Sequence, residues 1–240
     1  MISVRFWEKV RRKLLRMRLK PIRVFCFHQV SDVFEPDIMR KCDWISLDYF
    51  KNTILKLRNN GYLFISLNEC LDHLKNDRVR IKKFAVLTAD DGHASLLNVL
   101  PWLVENEIPI TLFVNSKYTD GYSYRESIKE KYLTTTDLEH ILKYKEVTIG
   151  SHGFDHIDAN NVSRQEFSKN IDKDLCVLNN ILQKVDRDYV QFFAYPWGRH
   201  NCDSDIIVVE KGLIPVMMDG MDNIDEFTCL HRVQLYNGSF

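Results

Sequence analysis

Short runs of apolar, β-branched and aromatic residues recur through most of the chain, and helical patterns separate them. The runs lie at 22–30 (IRVFCFHQV), 83–88 (KFAVLT), 109–114 (PITLFV), 147–151 (VTIGS), 190–195 (VQFFAY), 213–218 (LIPVMM) and 228–235 (TCLHRVQL). Several are apolar at consecutive rather than alternate positions, as in strands covered on both faces. Between them, 47–60 places Phe50, Ile54 and Leu57 on one helical face, with Gly61 as a stop. Residues 94–106 have a similar pattern. The stretch 134–145 opens on threonines suited to an N-cap, and 162–184 opens on Ser163-x-x-Glu166, a capping-box spacing. Strand–helix alternation sustained from 22 to 235 predicts an α/β domain with a largely parallel sheet, open or closed into a barrel. No repeat, low-complexity tract or linker interrupts it, so residues 21–240 are expected to form a single domain.

Residues 1–20 stand apart as a basic amphipathic arm. From Arg5 to Lys20 there are eight Lys/Arg and one acid, Glu8, in a chain whose formal net charge is zero. Phe6, Trp7, Val10, Leu14 and Met17 fall at helical spacing among these charges. Such a helix can lie on an anionic membrane surface, or pack on its own domain. No aromatic-and-basic pattern continues elsewhere, so nucleic acid is not an expected partner. No stretch approaches the roughly 18–20 apolar residues of a membrane-spanning helix. The six cysteines form no CxxC pair and no disulfide framework, and the basic N-terminus lacks the apolar core of a secretory signal. Free thiols and a cytoplasmic location are the expectation. Nothing in the sequence sets an oligomeric state.

Four stretches carry residues suited to chemistry. Asp90 and Asp91 end the apolar run 84–87, at the strand end that faces the active site in parallel α/β folds. One carboxylate of such a pair can ligate a metal while the other acts as a base; the plainer reading is a surface turn. In Ser151-His152-Gly153-Phe154-Asp155-His156, two histidines are four apart, which on a helical turn places both imidazoles on one face. Two imidazoles and a carboxylate suit Zn²⁺ or another borderline divalent ion. Tyr195-Pro196-Trp197-Gly198 ends a further strand; its aromatic faces can stack on a sugar ring or pack in the core. His28 is a polar residue in an otherwise apolar first strand, fit to serve as a general acid or to sit hydrogen-bonded in the core.

The ordered set FHQV, LTADDG, ITLFV, IGSHGFDH and FAYPWG, ending near LHRV, resembles the polysaccharide deacetylase family, the NodB-homology carbohydrate esterases, from about residue 22 to 235. The resemblance implies a distorted (β/α)7 barrel. It implies a divalent metal, zinc first with cobalt or nickel as alternatives, held by Asp91, His152 and His156. It makes Asp90 the catalytic base and an acetylated glycan the substrate. The poly-N-acetylglucosamine deacetylase variant, with its catalytic histidine near the first strand, makes His28 the acid, and His231 is the rival. Tyr195, Pro196 and Trp197 become substrate-binding residues. The implied reaction is removal of an acetyl group from an N-acetylated sugar by water activated at the metal. An O-acetyl esterase or small-amide deacylase using the same site, and a catalytically silent glycan-binding protein, are the alternatives. Three departures bear on the site: Ala89 replaces an aromatic before the acid pair, the late Leu-x-His-Asp motif is missing, and Ala194 stands nearest the place of an arginine that orients the base. The base is therefore expected to lack its orienting cation. His93 is expected at the rim.

Overall fold

A computed structural model describes residues 19–34, 40–77, 79–119, 132–224 and 228–239. The basic arm proposed for membrane contact lies, but for its last two residues, outside the described residues. Ten strands are present among them: β1 (Ile22–Phe27), β2 (Gln29–Val30), β3 (Trp44–Ile45), β4 (Tyr62–Phe64), β5 (Lys83–Ala89), β6 (Ile110–Val114), β7 (Val147–Ser151), β8 (Phe192–Ala194), β9 (Ile214–Met218) and β10 (Leu230–Gln234). The helices are α1 (Leu47–Asn59), α2 (Leu67–Asn76), α3 (Leu100–Glu105), α4 (Thr135–Ile141), α5 (Arg164–Lys184) and α6 (Cys202–Glu210). Seven parallel strands, β1, β5, β6, β7, β8, β9 and β10, close on themselves, because β1 pairs with β10 on one side and β5 on the other. This is the (β/α)7 barrel expected. β4 joins the N-terminal part of β5, and β2 pairs with β3 beside the mouth.

Side chains of a strand alternate between its two faces, and in a closed barrel one face is the interior. Ile22, Val24, Phe84, Val86, Phe113, Phe192, Ala194, Val216 and Leu230 fill that interior, together with Ile65 and the α2 residues Leu67, Cys70, Leu71 and Leu74. Phe25, Phe27, Leu87, Ala89, Leu112, Ile149, Phe193 and Tyr195 face outward to the helices. The same parity carries Cys26, Thr88 and Arg232 into the next interior layer, and His28 and Asp90 into the layer above it. Those layers lead to the C-terminal end of the barrel.

The differences from the sequence expectations have local causes. The helix expected at 94–106 is a 3₁₀ segment, Ala94–Asn98, followed by α3, because Pro101 cannot donate to and clashes with the preceding turn. Ser163 caps α5 by accepting from the Glu166 amide. Thr134 and Asp137 cap α4 reciprocally. β3, β4, α2 and α6 were not expected: β3 and β4 are two and three residues long, α2 is short, and Ile206–Val209 within α6 reads as a strand. The cysteines are free, as expected. No described helix is long and apolar enough to cross a membrane.

Gly150 on β7 has an interior role. A Cβ there would lie 2.5 Å from Phe113 Cε1. The phenyl ring occupies that space and carries the Arg232 guanidinium on its face, 5.1 Å from its centroid. Gly150→Ala must push the ring off this position. We expect it to destabilise the fold by about 1–3 kcal/mol, as overpacking does, measured as a lower denaturation midpoint. An unchanged midpoint contradicts the packing described.

Candidate active site

Consecutive residues of a strand point to opposite faces, so Asp90 and Asp91 should not share a site. Asp90 follows the parity of β5 and points inward. Asp91 has φ 68° and Gly92 φ 71°, and this left-handed turn swings the second carboxylate to the same mouth. Asp91 is strained there, a cost borne where the surrounding structure holds it.

The two carboxylates have different partners. Asp90 is buried and receives a two-pronged bond from Arg232 on β10: Nη1 to Oδ1 at 2.6 Å and Nη2 to Oδ2 at 2.9 Å. Arg232 also donates to Thr88 Oγ1 (3.2 Å) and the Met217 carbonyl (3.3 Å). Burial opposes ionisation of Asp90, but the guanidinium, with His152 and His28 nearby, holds its carboxyl below the usual range. The orienting cation expected to be lost with Ala194 is therefore present. It comes from β10, two strands away, and reaches Asp90 across the interior.

Asp91 faces the histidines. Its Oδ1 is 3.4 Å from His152 Nε2 and 3.2 Å from His156 Nε2. Burial opposes its ionisation too, but the His152, His156 and His93 imidazoles hold it well below the usual range. The two histidines do not share a helical turn, as their spacing suggested. His152 leaves β7, and His156 returns through a loop with φ 57°. His152 Nδ1 bonds the Ala194 carbonyl at 2.8 Å, which leaves Nε2 toward Asp91.

These three residues fit a divalent ion. Donors at zinc-ligand distances around a tetrahedral ion stand about 3.3 Å from one another, close to the spacings here. Asp91 Oδ1 is buried and accepts no hydrogen bond. Cys26, His28 and Asp90 also bring donor atoms within 4.8 Å of one another. There, however, both Asp90 oxygens are already taken by Arg232, which supplies the positive charge an ion would bring. The Asp91 set is the one with an unmet acceptor.

Around these groups the mouth is lined by His28, Arg40, Cys42, Asp43, Trp197, Gly198, Met218 and Gln234. His28 Nδ1 is 3.8 Å from Asp43 Oδ1. Trp197, at φ 61° in the turn Pro196–Gly198, is exposed, meets the His156 ring edge-on and carries Arg40 5.5 Å from its centroid. The other proposed substrate residues do not reach the mouth. Tyr195 is 1% exposed and packs edge-on against Phe193 on the outer face, as strand parity requires. Pro196 is buried in the turn. His231 points out of the barrel, bonded to Asp219 Oδ2 at 2.6 Å, while its neighbour Arg232 points in. It is removed from the acid role by the same parity. His93 is not at the rim: it is 5% exposed, stacked on Tyr132, with Nε2 3.5 Å from Asp91 Oδ2.

A family model described as polysaccharide deacetylase matches residues 77–215, more than half of the chain. The chain belongs to the polysaccharide deacetylase family. Its enzyme class is that of carbohydrate deacetylases, and its substrate class that of acetylated glycans. The family match takes in Asp90, Asp91, His152 and His156 and stops short of His28 and Arg232. Among solved structures, the deacetylase is similar to IcaB from Ammonifex degensii, with a TM-score of 0.77 and 19% identity over 92% of this chain and 94% of that one. It is similar to the Streptococcus pyogenes deacetylase PplD, solved with acetate, with a TM-score of 0.75 and 19% identity over 92% and 94%. It is also similar to a de-N-acetylase from Aggregatibacter actinomycetemcomitans, with a TM-score of 0.76 and 15% identity over 92% and 97%. At these identities the likeness is one of fold. No curated protein sequence matches the chain.

The Asp90–Arg232 pair sets a pH-dependent stability. Arg232→Gln leaves a buried carboxylate without its cation, which costs about 3–5 kcal/mol near neutral pH. In the variant, burial, the largest influence on Asp90, is opposed only by His152 and His28, and its folded pKa should rise above the unfolded value near 3.9. Its folded state then binds the extra proton, and its deficit against wild type grows as pH rises through that window. Denaturation midpoints of both proteins from pH 3 to 8 should diverge upward in pH; parallel curves contradict the pairing.

Proposed function

We propose that this deacetylase is metal-dependent and removes the N-acetyl group of an amino sugar in a glycan. The observation that carries the reading is the division of labour at one strand end: Asp91 turned toward two imidazoles, and Asp90 beside it, paired with Arg232 and open to the mouth next to His28. The Asp–His–His donor set suits zinc, with cobalt or nickel as alternatives. A divalent ion held by these three residues would polarise the acetyl carbonyl and acidify water.

The chain's own residues do the rest. Asp90, kept ionised by Arg232, accepts the proton of the attacking water. Its depressed pKa makes it a weak base, suited to a water that a bound ion would acidify. The acyl carbon–nitrogen bond breaks, His28 delivers a proton to the departing amine, and acetate leaves. Asp43 stands on the Nδ1 side of His28 and favours the ring orientation that turns Nε2 away from it. Trp197 offers an exposed indole face for the sugar ring. Neighbouring carboxylates with opposed environments and separate jobs are the pattern of acid–base sites.

Acetate release from N-acetylated and O-acetylated glucosamine oligomers tests this reading. The N-acetylated substrate should be preferred, and chelation should abolish release until zinc or cobalt is restored. Asp90→Asn and His28→Ala should each lower kcat by about 10²–10⁴-fold while metal content stays at the wild-type level. Asp91→Ala should lose the metal as well. Full activity after Asp91→Ala, or in a metal-free protein, overturns the reading.

The same proposal includes the arm. Its basic residues and the spacing of Phe6, Trp7, Val10, Leu14 and Met17 support docking on an anionic membrane surface, which suits a lipid-linked glycan precursor at the inner face. Co-sedimentation with anionic vesicles should fall sharply in a protein lacking residues 1–20 and with rising salt. Equal binding without the arm overturns this part alone.

A further inference from the structure

The loop that brings His152 and His156 to Asp91 is tied down from outside the barrel. Ser151, the residue before the first histidine, faces outward by parity and meets α5. Its hydroxyl donates to Asp174 Oδ2 at 2.5 Å and accepts from the Gly153 amide at 3.3 Å. The other Asp174 oxygen accepts the Ser116 amide at 2.9 Å. One turn earlier on the same helix, Asn170 Oδ1 accepts the Phe154 amide at 2.8 Å, and its Nδ2 donates to Asp155. From the inner side, Asn115 donates to the carbonyls of His152 and Gly153. These three side chains hold the Ser151 hydroxyl, the His152 and Gly153 carbonyls, the Phe154 amide and the Asp155 carboxylate.

Asp174 is an expensive member of this set. It is fully buried, and no ion pair reaches it among the described residues. Burial pushes its carboxyl up to about 6 against the two hydrogen bonds, and His152 is the titratable group whose charge acts on it. A buried carboxylate without a cation is destabilising by itself, and an asparagine of the same shape would fill the place. The charge has a purpose if the loop it holds carries a dication.

We propose that Asp174 and Asn170 of α5 are positioning residues for the metal ligands His152 and His156, with Asp174 also supplying a buried counter-charge to the bound ion through Ser151. This rests on the metal reading above. It separates two effects that a structural role would keep together. Removing the Asp174 charge should weaken metal binding and leave the metal-free fold no less stable.

The test uses the full-length protein stripped of metal, with zinc affinity read by competition against a chromogenic chelator and stability read as the melting midpoint without metal. In Asp174→Asn, zinc affinity should fall about 10–100-fold, the usual effect of losing a residue that orients a ligand, while the metal-free midpoint stays level or rises. Ser151→Ala, which cuts the link without touching α5, should lower zinc affinity in the same direction. Unchanged affinity in either variant overturns the proposal. So does a metal-free midpoint of Asp174→Asn that falls together with affinity, because that marks a packing role only. A wild-type protein that binds no zinc overturns the metal reading itself, and is recognised before any variant is made.

Discussion

Two carboxylates on consecutive residues cannot share one small space unless each has its own positive partner. Left together without compensation, one of them would hold a proton. Here the strand's alternation sends Asp90 to the interior, and a left-handed turn at Asp91 brings the second carboxylate to the same mouth. Arg232 neutralises the first with a two-pronged bond, and the second faces two imidazoles. The difference in partners gives the pair different chemical characters: one carboxylate has both oxygens bonded to a guanidinium, the other keeps a buried oxygen that accepts no hydrogen bond.

The barrel serves this pairing. Arg232 must cross the interior to reach Asp90, so a long cationic side chain has to be held in an apolar space. The Phe113 ring supports it from one side, and Gly150 makes room for that ring. Below, the interior is packed with aliphatic and aromatic side chains and plugged by α2. The mouth at the opposite end is free to be polar because the plug provides the apolar burial.

Much of the architecture was legible in the chain. Seven apolar runs correspond to the seven strands of the barrel, and the caps at Thr134 and Ser163 start helices where expected. The elements missed were β3, β4 and α2, which are short, and α6, whose apolar run reads as a strand; the Ser66 cap and the spacing of Leu67, Cys70, Leu71 and Leu74 were the available sign of α2. The meeting of Asp91, His152 and His156 was legible because these residues sit at strand ends, although the helical explanation for His152 and His156 was wrong and a loop brings them together. The roles given to Tyr195 and His231 failed because alternation was not applied to them. Counting by twos along β8 and β10 puts both on the outer face. The same count puts Arg232 inside, and a charged residue at an inward position in LHRV was the available sign that Asp90 keeps a cation. Asn115, Asn170 and Asp174 left no such sign, since polar residues in loops and amphipathic helices are ordinary.

The sequence by itself determined the strand–helix alternation, the family, and which residue types stand at which strand ends, because these depend on local pattern and spacing. Only the tertiary structure decided which of them meet. Arg232 and Asp90 are 142 residues apart and join because the barrel closes. Asp174 reaches the loop that carries His152 and His156 because α5 packs along the outside of β7. Closure and packing are long-range consequences of burying both faces of the sheet, and no window of sequence contains them.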